Sequence, residues 1–535
     1  MNSDSVRSVF RRTAVINYLL VGLCLVSLGA VTSGCDSLTS EDEDPPPTEN
    51  QVPMNALVTE GPTLTLDPNG ITPLAAALAL ATNAPTSVSI EVLGELPVSH
   101  AFQELAESHD LAVLGLYPDT ENQVVVTVVD PLVGFARDTL TVTTDPLPEA
   151  FPNVTIVQAD ILRMEPGWTL SELSLASGGV WDTKPILFDS NGDIRWTIDL
   201  EFLGGLVFPV KRSSDGTLLV ARGHDIYELD MLGTELNKWV VPGFWQHHEL
   251  VEMPNGNLLL AVDPGDRETV EDHIVEMDRT TGAVVREWDM REVLDVTRRT
   301  FMDNEEDWFH MNAIYYVADE DALIVSGRNQ AVVKVTGENE LVWILAPHEG
   351  WGKAGIDGDG FETSDFLLRA VDATGTPYPD AVQRGETDGS AFSWAWGQHA
   401  PMLLPDGDLF VFDNGLTRSF SAATPTFSRG VQYEIDEAQM TVREVWQYGA
   451  ERGDEFYSSI ISDVDHLDQT GNRLIMPGIV NAPVARALVT EVTYPSKDIV
   501  FEASIEFKNL NGTGQGWGEM DIVYRSERIP LYTEE

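Results

Sequence analysis

The sequence predicts an all-β protein: an N-terminal β-sandwich followed by a six-bladed β-propeller. Three observations predict it. Short alternating segments such as Ser87-Val-Ser-Ile-Glu-Val92 and Val124-Val-Val-Thr-Val-Val129 are separated by turn residues, the pattern of half-buried strands. A turn glycine then precedes a tryptophan by six residues three times, as Gly233/Trp239, Gly282/Trp288 and Gly337/Trp343. No long amphipathic helix interrupts these repeats.

Taken in order, residues 1–35 read as an export signal. Arg7, Arg11 and Arg12 precede an apolar run from Ala14 to Ala30, and Ser33-Gly34-Cys35 closes it. A basic start, an apolar middle and a small-residue end are the marks of a secretory signal. The Ser-Gly-Cys ending resembles a bacterial lipoprotein signal, in which Cys35 becomes the lipid-bearing first residue. The expected location is outside the cytoplasm, lipid-anchored to a bacterial membrane and facing the periplasm or the cell surface. Cys24 lies within the signal and is the other of two cysteines, so the mature chain is expected to have no disulfide. Residues 36–51, DSLTSEDEDPPPTENQ, are acidic, proline-containing and poor in large apolar side chains, as in a disordered tether.

Residues 52–147 form the expected β-sandwich, and residues 151–535 the expected propeller. Within the latter, Gly192 and Trp196 are a shorter version of the glycine–tryptophan unit, and Val445-Trp446 another copy. Strand pairs with polar turns, ELVEMPNGNLLLAV and APMLLPDGDLFVFD, lie between these ends. A short-strand unit recurring about every 40–55 residues signals a propeller. About six units can be counted, and the segment from Met520 to Tyr524 is expected to return to the first of them.

Composition narrows the function. There are 32 Lys and Arg against 86 Asp and Glu, a formal net charge of −54. That sign excludes nucleic acid and anionic lipid as surfaces to be recognised by charge, and acids spread along the chain fit a solvated acidic surface. No Gly-rich phosphate loop leads into a helix, so no nucleotide cofactor is expected.

Ten histidines are few, and three share a phase. His248 lies eight residues before Gly256 in a Pro-Asn-Gly turn, and His399 eight residues before Gly407 in a Pro-Asp-Gly turn. His310 begins a similar strand, HMNAIYYV. First strands of propeller blades line the central channel, so three histidines at their starts converge. Arg328 follows the strand that pairs with the His310 strand and should stand beside His310. Asn312, two residues after His310, should share its face by strand alternation. His247 should face the opposite way and is read as structural.

Three imidazoles suggest a metal, but a permanently charged guanidinium disfavours a divalent cation and welcomes an oxyanion. The expected ligand is a tetrahedral oxyanion or its ester, with neither metal nor other cofactor. Two alternatives stay open: a metal-dependent propeller hydrolase or lyase using His248, His310 and His399 as ligands, and a non-enzymatic surface protein that only holds a ligand.

The segments Gln246-His-His-Glu-Leu250, Trp308-Phe-His-Met-Asn312, Ser326-Gly-Arg-Asn329 and Trp394-Ala-Trp-Gly-Gln-His-Ala-Pro401 resemble the bacterial aryl-sulfate sulfotransferases. So do Val445-Trp-Gln-Tyr-Gly449 and Glu451-Arg-Gly-Asp-Glu-Phe-Tyr-Ser458. The resemblance runs from about Leu64 to the end. It implies a sandwich followed by a six-bladed propeller, and transfer of a sulfuryl group from an aryl sulfate donor to a phenolic acceptor without a nucleotide donor. It further implies ping-pong chemistry through a sulfated histidine matching His399, with His248, His310, Asn312 and Arg328 around the sulfate, and a possible homodimer. Residues 347–393, rich in Gly and Asp, could form a lid; Asp357-Gly-Asp-Gly360 lacks full calcium-loop spacing and reads as solvated loop.

Overall fold

The computed structural model describes residues 50–300, 304–418, 427–481, 483–510 and 518–533. The expected signal, Cys35 and all but the last two residues of the expected tether lie outside the described residues. Among those described, no helix is long and apolar enough to cross a membrane.

The described chain is all-β. Val58–Leu66, Ala76–Val92, Val98–Val113, Glu121–Asp130 and Gly134–Thr143 form one antiparallel five-stranded sheet. Ala76–Val92 pairs along its first half with Val58–Leu66 and along its second with Glu121–Asp130, and Val98–Val113 pairs with both halves. Register breaks between Ala81 and Val88 let one long strand serve both pairings, as bulges do where a sheet bends.

Six further sheets follow, each of four or five strands. Strands of successive sheets neighbour one another: Phe244–Glu252 lies against Met311–Val317, then come His399–Leu403 and Asp463–His466, which meets the C-terminal strand Ile522–Ile529. Two exchanges tie the ends together. Ile522–Ile529 pairs with Trp168–Ser177 in the first of these sheets, as the C-terminal apolar segment suggested, and Asn153–Ala159 pairs with Ile499–Glu506 in the last.

The glycine–tryptophan spacing has a packing cause. Trp196, Trp288, Trp343 and Trp446 stand on outer strands and donate their indole N–H to the following sheet: to the carbonyls of Met231 (2.8 Å), Thr336 (3.0 Å) and Pro495 (3.2 Å), and, for Trp343, to the Glu437 carboxylate (2.8 Å). Trp239 packs over Gly282, where an added Cβ would meet the indole at 3.5 Å. Each tryptophan therefore fastens one sheet to the turn of the next. Trp288 is fully buried. Trp288→Ala is expected to destabilise the fold by about 3–5 kcal/mol, read as a lower urea midpoint with unchanged slope.

The N-terminal sheet is joined to the rest. One apolar core runs from Leu78, Ile90 and Val126 to Leu187, Trp196 and Val220. Arg195, fully buried, donates to the carbonyls of Gly115 (2.9 Å) and Leu96 (3.2 Å), pairs with Asp189 at 2.9 Å and lies 3.4 Å over the Tyr117 ring. A buried guanidinium is tolerated because its donors find acceptors.

The segment 347–393 does not cover the site described below. Arg369–Ala370 adds to the outer edge of the fifth of the six sheets, parallel to Thr441–Tyr448. The Trp394 indole donates to Val382 O at 2.7 Å. The Asp357–Gly360 stretch is not part of any three-residue ligand cluster among the described residues.

Candidate active site

His248, His310, Arg328 and His399 line one cavity of about 450 Å³. Trp181, Phe208, Ile460, Ile461 and Ile522 form an apolar wall, and Tyr524, Glu271 and His247 complete the polar side. A larger cavity of about 550 Å³ lies farther along the same first strands and is lined by Lys211, Glu249, Asp463, Asp465, Arg525 and Glu527. Its charged groups include two ion pairs, Lys211–Glu527 at 3.0 Å and Arg525–Glu249 at 2.6 Å. The smaller cavity is the candidate, because three histidines and an arginine converge there beside an apolar wall.

The histidines reach it through backbone irregularity. The Phe244–Glu252 strand breaks register between Gln246 and Leu250, the Met311–Val317 strand between Met311 and Ala313, and the His399–Leu403 strand between His399 and Met402. His248, His310 and Ala400 have left-handed φ of 51°, 55° and 50°, each costing on the order of 1 kcal/mol. Bulges of this kind re-aim side chains beside active sites.

Two expectations are corrected by that irregularity. His247 does not point away: it lines the same cavity, with its ring centroid 5.3 Å from that of His248. Asn312 does not line it. It is fully buried, and its amide donates to Gln398 O at 2.8 Å. Simple alternation fails across a left-handed residue and a bulge.

His399 is the best-defined group. Its Nδ1 lies 2.7 Å from Asn414 Oδ1 and 3.1 Å from Gly397 O. Asn414 Nδ2 donates to the carbonyls of Ser458 (2.9 Å) and Ile461 (2.8 Å), which fixes which end of the amide faces the ring. Both neighbours of Nδ1 are therefore acceptors, Nδ1 carries the proton, and the Nε2 lone pair is free. Burial first, then the Arg328 charge, holds the His399 pKa well below the usual histidine value, so the ring is neutral.

His310 has the opposite character. Its Nδ1 lies 2.6 Å from Glu271 Oε2 and 2.8 Å from Asp307 Oδ2. Burial alone would lower its pKa, but these carboxylates outweigh it and the value is raised. Glu271 is held well below the usual carboxylate range: His248 and His310 overcome the penalty of its burial. His248 stands 3.3 Å from Glu271 Oε1 and 3.2 Å from the Tyr524 hydroxyl, with Phe208 stacked at 5.5 Å. Arg328 N–H donates to His310 O at 2.9 Å, and its guanidinium makes one long bond, 3.4 Å, to Asn329 Oδ1. No described carboxylate lies within 4.0 Å of it. Burial lowers its pKa from the ordinary arginine value, and it remains a cation facing the cavity.

The three-histidine metal set is not assembled: among the described residues, His248, His310 and His399 do not come within ligand reach of a common point. The close groupings instead use Glu271, once with His247 and His248 and once with Asp307 and His310. Sequence reasoning missed Glu271, Asp307, Asn414 and Tyr524. The hairpin rule that placed Arg328 beside His310 would also have found Asn414, at the end of the strand pairing with that of His399.

Comparison with known proteins identifies the family. Residues 63–145 match the arylsulfotransferase Ig-like domain, and residues 159–517 match the arylsulfotransferase (ASST) family. The chain is similar to the arylsulfate sulfotransferase AssT of Lelliottia amnigena, at 26% identity over 94% of this chain and 97% of that protein. It is also similar to AssT of Escherichia coli O6:H1, at 30% identity over 62% of this chain and 65% of that protein. The chain thus has an N-terminal Ig-like domain and belongs to the arylsulfotransferase family of transferases.

Proposed function

We propose that this chain moves a sulfuryl group from an aryl sulfate to a phenol by a ping-pong mechanism through a sulfohistidine at His399. The carrying observation is the fixed tautomer: Asn414 holds the Nδ1 proton and leaves the Nε2 lone pair toward the cavity. In the first half-reaction Nε2 bonds to sulfur as the S–O bond to the aryl group breaks and the phenolate leaves. Arg328 and His310 stabilise charge on the sulfuryl oxygens, as preorganised donors do. In the second, a phenol oxygen attacks sulfur, the N–S bond breaks, and His248 receives the phenol proton. The apolar wall of Trp181, Phe208 and Ile522 suits the aryl rings.

The scaffold is proposed to be a six-bladed propeller over residues 151–535 beside a β-sandwich over 52–147. Six consecutive sheets, four of them with adjacent first strands, and a C-terminal strand returned to the first sheet, support it. Membership in a transferase family weakens the reading as a passive ligand holder. The Ser33-Gly34-Cys35 ending supports a lipid anchor on Cys35 outside the cytoplasm.

The test is a chromogenic aryl sulfate supplied without acceptor. A burst of about one phenol per chain, followed by steady turnover only when a phenol is added, is the ping-pong result; no burst and no acceptor dependence would contradict it. Because Arg328 and His310, not a metal, hold the sulfuryl oxygens, turnover is expected to survive strong chelators. Its loss on chelation and return with zinc would overturn that assignment.

A further inference from the structure

His247 is an imidazole without a role in the chemistry above. Both its ring nitrogens are shut off from solvent and neither makes a well-aligned hydrogen bond, although the Val262 backbone lies close by. Leaving them so is unfavourable, since a neutral ring has one N–H and one lone pair to satisfy. The nearby Asp263 Oδ1, 3.5 Å from Nε2, already accepts the Glu271 N–H at 2.5 Å. Glu271 Oε2 is also buried, its close contact being His310 Nδ1 at 2.6 Å, off the angle of a well-formed hydrogen bond. One ligand atom each from His247, His248 and Glu271 lies within 4.8 Å of the other two. Two imidazoles and a carboxylate with room for a further ligand are a donor set that suits zinc and late first-row divalent ions.

We propose that His247, His248 and Glu271 form an inhibitory site for a late first-row divalent cation, zinc above all. Lone pairs from two imidazole nitrogens and one carboxylate oxygen would make the bonds. The alternative grouping of Glu271, Asp307 and His310 is less open, because His310 Nδ1 is hydrogen-bonded to Asp307. A cation held by His248 and Glu271 draws the first from the acceptor phenol's proton and the second from His310, and sets two positive charges beside Arg328. The inhibitory consequence rests on the sulfuryl-transfer reading; the binding itself does not.

The test uses the full chain with Co²⁺ and Zn²⁺ alone as probes. Co²⁺ absorption should report one ion per chain, displaced by Zn²⁺, with turnover falling in step with occupancy and restored by a chelator. His247→Gln should raise both half-saturation and half-inhibition by at least about 10-fold, the lower end of what loss of an outer partner of a metal ligand costs, inhibition being measured against that variant's own metal-free turnover. His247→Cys, which keeps a zinc ligand, should still bind and be inhibited. No binding by wild type, or His247→Gln binding and inhibited as wild type, would overturn the site. Full occupancy with undiminished turnover would overturn the inhibition. If no aryl sulfate is turned over at all, the Co²⁺ titration still decides the site, so the two readings fail separately.

Discussion

His399→Ala is expected to lower sulfuryl transfer by about 10⁴-fold or more, the scale on which enzymes respond to loss of a covalent nucleophile. The chain should still fold. The substitution leaves Asn414 Oδ1 without its ring partner in a buried position, a loss of about 1–3 kcal/mol, visible in denaturation but short of unfolding a domain this size. His399→Asn should not rescue, since an amide cannot carry the sulfuryl group between half-reactions. The pH profile follows from the same environment. Because the His399 pKa is held well below the ordinary histidine value, the nucleophile stays neutral through the range where a free imidazole protonates. The first half-reaction, release of phenol from the donor, should therefore persist as pH falls through the usual histidine range and be lost only below it. An acid limb of that half-reaction at the ordinary histidine value would contradict this.

Arg328→Ala is expected to lower kcat/KM for the donor by about 10²–10³-fold, as removal of one preorganised oxyanion donor does. Arg328 faces the cavity unpaired with any described carboxylate, so no ion pair is broken in the folded state and stability should change little. Arg328→Lys should recover only part of the loss, because an ammonium lacks the planar fork that grips two oxygens at once. The acceptor half-reaction, measured from preformed sulfated enzyme, should suffer as well, since the same oxygens are held in both directions. A variant with normal donor kinetics would remove Arg328 from the site.

Much of this was legible in the sequence, for identifiable reasons. The glycine–tryptophan spacing is regular because each indole reaches the turn of the next sheet, so packing between sheets is written as a period. The shared phase of His248 and His399 survived because turn length fixes a strand's start. Arg328 was found from hairpin geometry, and Asn414 was open to the same argument. Face assignments were not legible. His247 and Asn312 were placed by alternation, and alternation was broken by left-handed φ at His248 and His310 and by adjoining bulges. A bulge changes two residues' faces without any change in hydrophobic pattern. Glu271 was hidden for a different reason: it lies in an irregular connection, where no period marks it, and only the fold carries it to His310. The overall charge of −54 gave no hint of the Arg328 cation beside His310, because a net charge reports the surface and not one cavity.

The central claim is that His399 carries the sulfuryl group. The most direct measurement is a single turnover of enzyme with aryl sulfate and no acceptor, quenched at neutral pH and digested for mass spectrometry. The account predicts a sulfated peptide containing His399, present in wild type, absent in His399→Ala, and discharged when a phenol is added. Sulfation on another residue, or release of phenol with no sulfated peptide at all, would contradict it.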